Sequence, residues 1–124
     1  MKNKTVKDSF QNAWEGLKYA YKTQRNIRIH ISAAAVVLLV CWLLEVSLDG
    51  LAKIIISISL VLFAEMVNTA VEKTVDLFMS TYHPLAKTAK NVAAGAVLIS
   101  AINAIIIGII VLGEPLFKVL KAMF

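Results

Sequence analysis

Residues 54–76 read Ile54-Ile55-Ile56-Ser57-Ile58-Ser59-Leu60-Val61-Leu62-Phe63-Ala64-Glu65-Met66-Val67-Asn68-Thr69-Ala70-Val71-Glu72-Lys73-Thr74-Val75-Asp76. The first half is apolar apart from two serines, and the second half runs acidic and amide residues straight out of it. On a helix turning by ~100° per residue, Glu65, Glu72 and Asp76 (i, i+7, i+11) fall within about 40° of one another, with Asn68 flanking them. The pattern predicts a long helix that crosses a membrane and leaves it carrying one polar stripe. A solvated face on the emerging helix accounts for Asp76 by itself. It does not account for Glu65, because ionisable groups inside a span are rare and mark function by default.

Two further stretches are long and apolar enough to cross. Residues 27–44 begin with Arg28 and His30, whose side chains reach toward the headgroups, and are otherwise apolar apart from Ser32. Residues 92–112 carry no charge and supply the ~20 residues a span needs. The chain of 124 residues is 59% hydrophobic, above the roughly 45–50% of soluble domains. The expected fold is therefore an all-α membrane protein in a single domain over residues 1–124. It has a surface helix at 5–24 and transmembrane helices at 27–44, 51–78 and 88–112, the last two extending into the cytoplasm.

Charge orients these helices, since Lys and Arg collect on the cytoplasmic side. Lys2, Lys4, Lys7, Lys18, Lys22, Arg25 and Arg28 precede or open the first span, and Lys73, Lys87 and Lys90 lie between the second and third. Lys53, Lys118 and Lys121 fall on the other side. The N-terminus and the connection 72–91 are expected in the cytoplasm, with loop 45–50 and the C-terminal tail outside. The net charge of +5 comes mainly from the cytoplasmic residues, so anionic lipid and nucleotide phosphate are the expected partners. Nucleic acid is not expected, because no binding motif accompanies the charge.

The first segment reads as an interfacial helix rather than a signal peptide, being charged throughout. Phe10, Ala13, Trp14, Leu17 and Tyr21 recur at helical spacing on one face, opposite Gln11, Glu15, Lys18 and Lys22. In the third span Ala96, Ser100, Ala104 and Gly108 repeat every four residues, a spacing that lets helix backbones approach closely in lipid; the partner helix stays open. Cys41 is single, and neither His30 nor His83 has the partners of a zinc site. No P-loop, dinucleotide fingerprint or catalytic-triad order is present.

Depth separates the acidic residues. Counting ~1.5 Å per residue from Leu51, a hydrocarbon layer about 30 Å thick ends near Val71. Glu65 then lies about two turns below the cytoplasmic surface and Glu72 lies at it. A carboxylate on the lipid side suits proton abstraction from a lipid hydroxyl. One at the aqueous edge suits a hydrated divalent cation, with Lys73, Lys87 and Lys90 nearby to meet phosphate. The arrangement points to phosphoryl transfer from a nucleotide to a lipid. The rival reading is a non-catalytic helical membrane protein, an ion or solute transporter or an assembly factor; its transport version expects polar residues on more than one span.

Glu65-x-x-Asn68-Thr69-Ala70-x-Glu72-x-x-Val75-Asp76, followed by Tyr82-His83-Pro84-Leu85-Ala86-Lys87 and Ala89-Lys90-Asn91-Val92-Ala93-Ala94-Gly95-Ala96-Val97-Leu98, resembles the small bacterial integral-membrane diacylglycerol kinase and undecaprenol kinase family. Ala13-Trp14-x-Gly16-Leu17 and Arg25-Asn26-x-Arg28-x-His30 extend the likeness over nearly the whole chain. The resemblance implies a homotrimeric, multi-pass enzyme of the bacterial inner (cytoplasmic) membrane. Its active sites face the cytoplasm and use ATP as phosphoryl donor and Mg2+ as cofactor. It assigns Glu65 as the general base and, with Trp14, to the lipid side. Asn68, Glu72, Asp76, His83 and Lys90 go to the nucleotide, and Glu72 also to the metal. Two positions depart from the pattern: Gln24 stands where the family generally has a second metal-ligating glutamate, and Asn91 where it commonly has aspartate. Pro84-Leu85-Ala86-Lys87 and Ala93-Ala94-Gly95-Ala96 look more like the undecaprenol kinases than the diacylglycerol kinases.

Overall fold

The computed structural model describes residues 5–124, which form four helices: α1 (Val6–Thr23), α2 (Arg25–Leu43), α3 (Leu48–Phe78) and α4 (Pro84–Met123). Lys2 and Lys4, counted above among the cytoplasmic charges, lie outside the described residues. The architecture is all-α, with one amphipathic N-terminal helix and three helices long and apolar enough to cross a membrane.

A capping box starts α1. The Asp8 backbone N–H donates to Thr5 Oγ1 at 3.1 Å, and the Thr5 N–H donates to Asp8 Oδ2 at 3.0 Å, so two otherwise orphaned donors are satisfied. The helix stops at Gln24, whose extended backbone (φ −102°, ψ 115°) ends α1 and begins α2 within one residue. Such an elbow exposes the last carbonyls of α1, and Arg28 takes two of them. Its Nη1 donates to the Tyr21 oxygen at 2.9 Å and to the Lys22 oxygen at 3.0 Å. The guanidinium thereby ties the first turn of α2 to the last turn of α1.

At its far end α2 closes with the Val46 N–H on the Cys41 oxygen (3.0 Å) and the Glu45 N–H on the Trp42 oxygen (3.2 Å), the paired bonds of a Schellman motif. That motif needs a left-handed residue, and Glu45 supplies it at φ 50° where glycine is usual. Ser47 then caps α3 by accepting from the Gly50 N–H at 3.2 Å. The connection expected over 45–50 is thus shorter, because Leu48, Asp49 and Gly50 already belong to α3.

α3 has 31 residues and α4 has 40, or about 46 and 60 Å at ~1.5 Å per residue. Both exceed a hydrocarbon layer of about 30 Å, so both continue into water. α4 starts at Pro84, four positions before the expected span, with His83 as its cap. It runs past Leu112 to Met123 despite Pro115. A Glu114/Lys118 ion pair at 2.7 Å spans the proline, and the apolar residues 116, 117, 119 and 120 keep the segment helical beyond it.

α3 is the central element; it packs along α4 and against α2, while α1 lies on α2 and α3. Its buried residues Gly50, Ile54, Ser57, Val61, Ala64 and Asn68 step by four and three. Ala93, Val97, Ser100, Ala104, Ile107 and Val111 of α4, all buried or half-buried, step the same way. A 3.5-residue period on two antiparallel helices is a coiled-coil seam. Ser100 and Ala104 therefore turn toward α3 of the same chain, whereas Ala96 is exposed and a Cβ added at Gly108 would meet nothing within 4 Å. The seam is tightest at Gly50, where an added Cβ would stand 2.8 Å from Val46 Cγ1 and 3.0 Å from Val111 Cγ1. Outside the seam the surface is oily: Trp42, Phe63 and Ile109 are 74%, 66% and 67% exposed, as expected of faces turned to lipid or to other copies.

Two stability outcomes follow, both readable by thermal unfolding in detergent. Glu45→Gly relieves the left-handed strain and raises stability by about 0.5–1 kcal/mol. Gly50→Val forces two methyl groups into a slot already closed to one carbon and lowers it by about 1–3 kcal/mol.

Candidate active site

Glu65 sits beside the α3/α4 seam, rotated toward α2, and is 2% exposed. Its Oε1 lies 3.4 Å from His30 Nε2, on the second turn of α2. Among the described residues His30 is the one basic group within ion-pair reach of this carboxylate. Leu62 and Met66 flank Glu65 along α3, Ile27 and Ile31 flank His30 along α2, and all four line one groove of about 420 Å³. Trp14 and Tyr21 of α1 close its outer side, with Lys18 and Lys22 at the margin. The surface helix thus acts as a wall against the spans, and the elbow at Gln24 sets its angle. An almost wholly apolar slot of this kind, walled by the helix neighbours of Glu65 and His30, suits an oily molecule.

One turn toward the cytoplasm, the Asn68 Nδ2 donates to Glu72 Oε1 at 3.2 Å. Asn68 is buried, and its Oδ1 has no hydrogen-bond partner; neither has the Oγ1 of buried Thr69. Orphaned buried oxygens of this kind are uncommon and ask for a small ligand, ion or water. Thr69 shares the polar stripe, being four positions from Glu65.

A second turn along, Asp76 Oδ1 accepts from Lys90 Nζ at 2.5 Å, joining the end of α3 to the start of α4. Both side chains are largely exposed (57% and 39%), so the pair contributes only ~0.2–1 kcal/mol to stability. Around them a cleft of about 350 Å³ is lined by Asp76, Tyr82, His83, Lys87, Lys90 and Asn91. Two ammonium groups against one carboxylate leave it net positive, which suits a polyphosphate. His83 has a local task as well: its Nδ1 accepts from the Leu85 N–H at 3.2 Å and starts α4. Pro84 at the first helical position assists, having no N–H to satisfy.

The chain therefore brings Asn68 to Glu72, and Asp76, His83, Lys90 and Asn91 to one cleft. It does not join Gln24 to Glu72 by any hydrogen bond or ion pair among the described residues; the Gln24 Nε2 donates instead to Thr23 Oγ1 at 3.1 Å. No cluster of three or more acidic, His or Cys side chains stands ready for a metal among the described residues. One carboxylate, with the free Asn68 oxygen beside it, does fit magnesium, which keeps its waters and borrows phosphate oxygens rather than demanding an all-protein cage. His30 is the site residue that sequence reasoning passed over. The available signal was an imidazole one and a half turns into an otherwise apolar span, at the cytoplasmic end where α3 carries its carboxylate.

A larger cavity of about 620 Å³ opens at the opposite end of the bundle, near Gly50, Val111 and Pro115. Four of its charges pair along their own helices, Lys53 with Asp49 at 2.6 Å and Lys118 with Glu114 at 2.7 Å, and Glu45 is the remaining charge in its lining.

Known proteins resemble this chain in sequence. The chain is 43% identical over 113 residues to a diacylglycerol kinase of Synechocystis, covering 90% of this chain and 65% of that protein's length. It is 41% identical over 103 residues to an undecaprenol kinase of Bacillus subtilis, covering 83% of this chain and 84% of that one. A diacylglycerol kinase of Escherichia coli is 33% identical over 97 residues, 76% of this chain and 77% of its own. Residues 11–112, which run from the surface helix into α4 and include Trp14, Gln24, His30, Glu65, Asn68, Glu72, Asp76, His83, Lys90 and Asn91, match the family described as prokaryotic diacylglycerol kinase. By that match and these identities, the chain belongs to the prokaryotic diacylglycerol kinase family.

Proposed function

We propose that this protein is an ATP- and magnesium-dependent lipid kinase. It transfers the γ-phosphoryl group to the hydroxyl of a membrane lipid, undecaprenol in the favoured case and diacylglycerol in the alternative. The observation that carries the reading is the vertical order of the groups. A buried carboxylate beside an apolar groove lies below an amide and carboxylate pair, which lies below a net-positive cleft open to water. Undecaprenol is favoured by the likeness of residues 84–87 and 93–96 to undecaprenol kinases and by the extent of the match to the Bacillus subtilis protein.

In this scheme Glu65 accepts the hydroxyl proton as the lipid oxygen bonds to the γ-phosphorus, and the bond from that phosphorus to the bridging oxygen breaks to release ADP. Trp14 and the groove hold the lipid so that its hydroxyl reaches Glu65. Lys90 exchanges Asp76 for a phosphate oxygen, while Asn68, Asp76 and His83 orient the nucleotide. Magnesium supplies charge neutralisation on the phosphates, and Glu72 would hold it with Gln24 contributing an amide oxygen in place of a carboxylate. The clustering of Lys18, Lys22, Arg25, Arg28, Lys73, Lys87 and Lys90 at the active end supports a cytoplasmic site in the bacterial inner membrane. The exposed apolar faces support assembly as a homotrimer. The rival reading as a transporter or assembly factor lacks a charged path, since residues 31–44, 54–64 and 92–112 carry no charge.

Purified protein in bicelles, with labelled ATP, magnesium and either undecaprenol or short-chain diacylglycerol, tests activity and acceptor together. Phosphorylation of neither lipid would refute the reading. In that assay Glu65→Gln should lower turnover at least about a hundredfold with nucleotide binding retained, because general-base contributions are typically ~10²–10⁴-fold. Glu72→Gln should be partly restored by raised magnesium. Gln24→Glu and Asn91→Asp should each lower the magnesium needed for half-maximal rate; an unchanged magnesium dependence in both variants would remove these positions from the metal site.

A further inference from the structure

Glu65 poses a problem that its role as a base does not solve. At 2% exposure the carboxylate has almost no water to hold its charge, and an ionised group so placed costs several kcal/mol unless a partner meets it. The groups facing it are few: α4 presents no charged residue along residues 92–112, and α2 presents His30. Arg28, the nearest cation on α2, is committed to the Tyr21 and Lys22 carbonyls at the elbow. His30 has no hydrogen bond or ion pair to any other group among the described residues, and its side chain is 27% exposed where that of Glu65 is 3%.

We infer that His30 is a positioning residue for the phosphoryl-transfer reaction: its Nε2 fixes the rotamer of the Glu65 carboxylate so that the free oxygen faces the end of the apolar groove. The inference rests on the lipid-kinase reading given above. Three observations support it. The contact crosses from α2 to α3, so it depends on the elbow, and the Arg28 clamp makes that elbow rigid. The helix neighbours of His30 (Ile27, Ile31) and of Glu65 (Leu62, Met66) line the same groove, so the pair lies behind the wall of that groove on α2 and α3. At 3.4 Å the contact is within ion-pair reach, and no other basic group among the described residues comes as near to Glu65. His30 touches no reacting atom in this scheme; it acts through Glu65.

The experiment is a double-mutant cycle in bicelles with full-length protein, reading kcat and KM separately. His30→Ala should lower kcat on the order of tenfold or more while leaving KM for ATP near its wild-type value. His30→Gln, which keeps a neutral donor at similar reach, should recover most of the loss, and added imidazole should restore part of it in His30→Ala. Combining His30→Ala with Glu65→Gln should cost no more than Glu65→Gln alone. Wild-type kcat in His30→Ala, full additivity in the cycle, or a loss that neither imidazole nor His30→Gln relieves would each overturn the inference while the lipid-kinase reading stands. Unimpaired turnover in Glu65→Gln would overturn both, because the general base itself would be elsewhere.

Discussion

A carboxylate held inside an apolar helix bundle constrains everything around it, because desolvation penalises its charge far more than packing alone can offset. Glu65 shares its burial with Ile54, Val61 and Ala64 and with the neutral Ser57, Asn68 and Thr69, none of which carries a charge to match its own. The compensating group has to come from another helix at matching depth, and His30 on α2 meets it. That meeting fixes how far α2 can slide along α3. It also makes the elbow at Gln24 more than a connection, since the elbow, clamped by Arg28, sets where the second turn of α2 stands.

The α3/α4 seam solves a different problem, the alignment of two helices longer than the bilayer is thick. Without a hydrophobic driving force in lipid, close backbone approach and steric fit must set their register. Gly50 against Val111 does so at one end, and Asp76 with Lys90 ties the other. Between them the seam carries small or apolar groups, and beyond Ala64 it changes to amides and carboxylates as α3 nears the aqueous boundary. The polar stripe is the seam's own continuation plus the neighbouring row, so packing at one end and chemistry at the other share a single helix.

The positive cleft is built differently from the buried end. Its groups are exposed, their ion pair contributes little to stability, and so they can exchange partners at small cost. Glu65 cannot: nearly all of its surroundings are fixed by α2, α3 and the groove wall. A rigid, dry acid/base end beneath a wet, exchangeable phosphate end is the physical content of the proposed kinase.

Much of this was legible in the chain. Hydropathy and length determine three crossing helices, and a 3.6-residue period determines that Glu65, Asn68, Glu72 and Asp76 share a face; both are properties of neighbours within a few turns. The ends of the helices were less legible, because Glu114 with Lys118 carries α4 past a proline, and Leu48 to Gly50 join α3 instead of the loop. What only the tertiary structure decided is which groups meet across helices. These are His30 with Glu65, Lys90 with Asp76, Arg28 with the α1 carbonyls, and the small residues of α4 with α3 of the same chain. The spacing of a residue along its own helix says which way it points, but the partner it reaches depends on the angle of a one-residue elbow and the register of a seam, which are set by contacts distant in sequence.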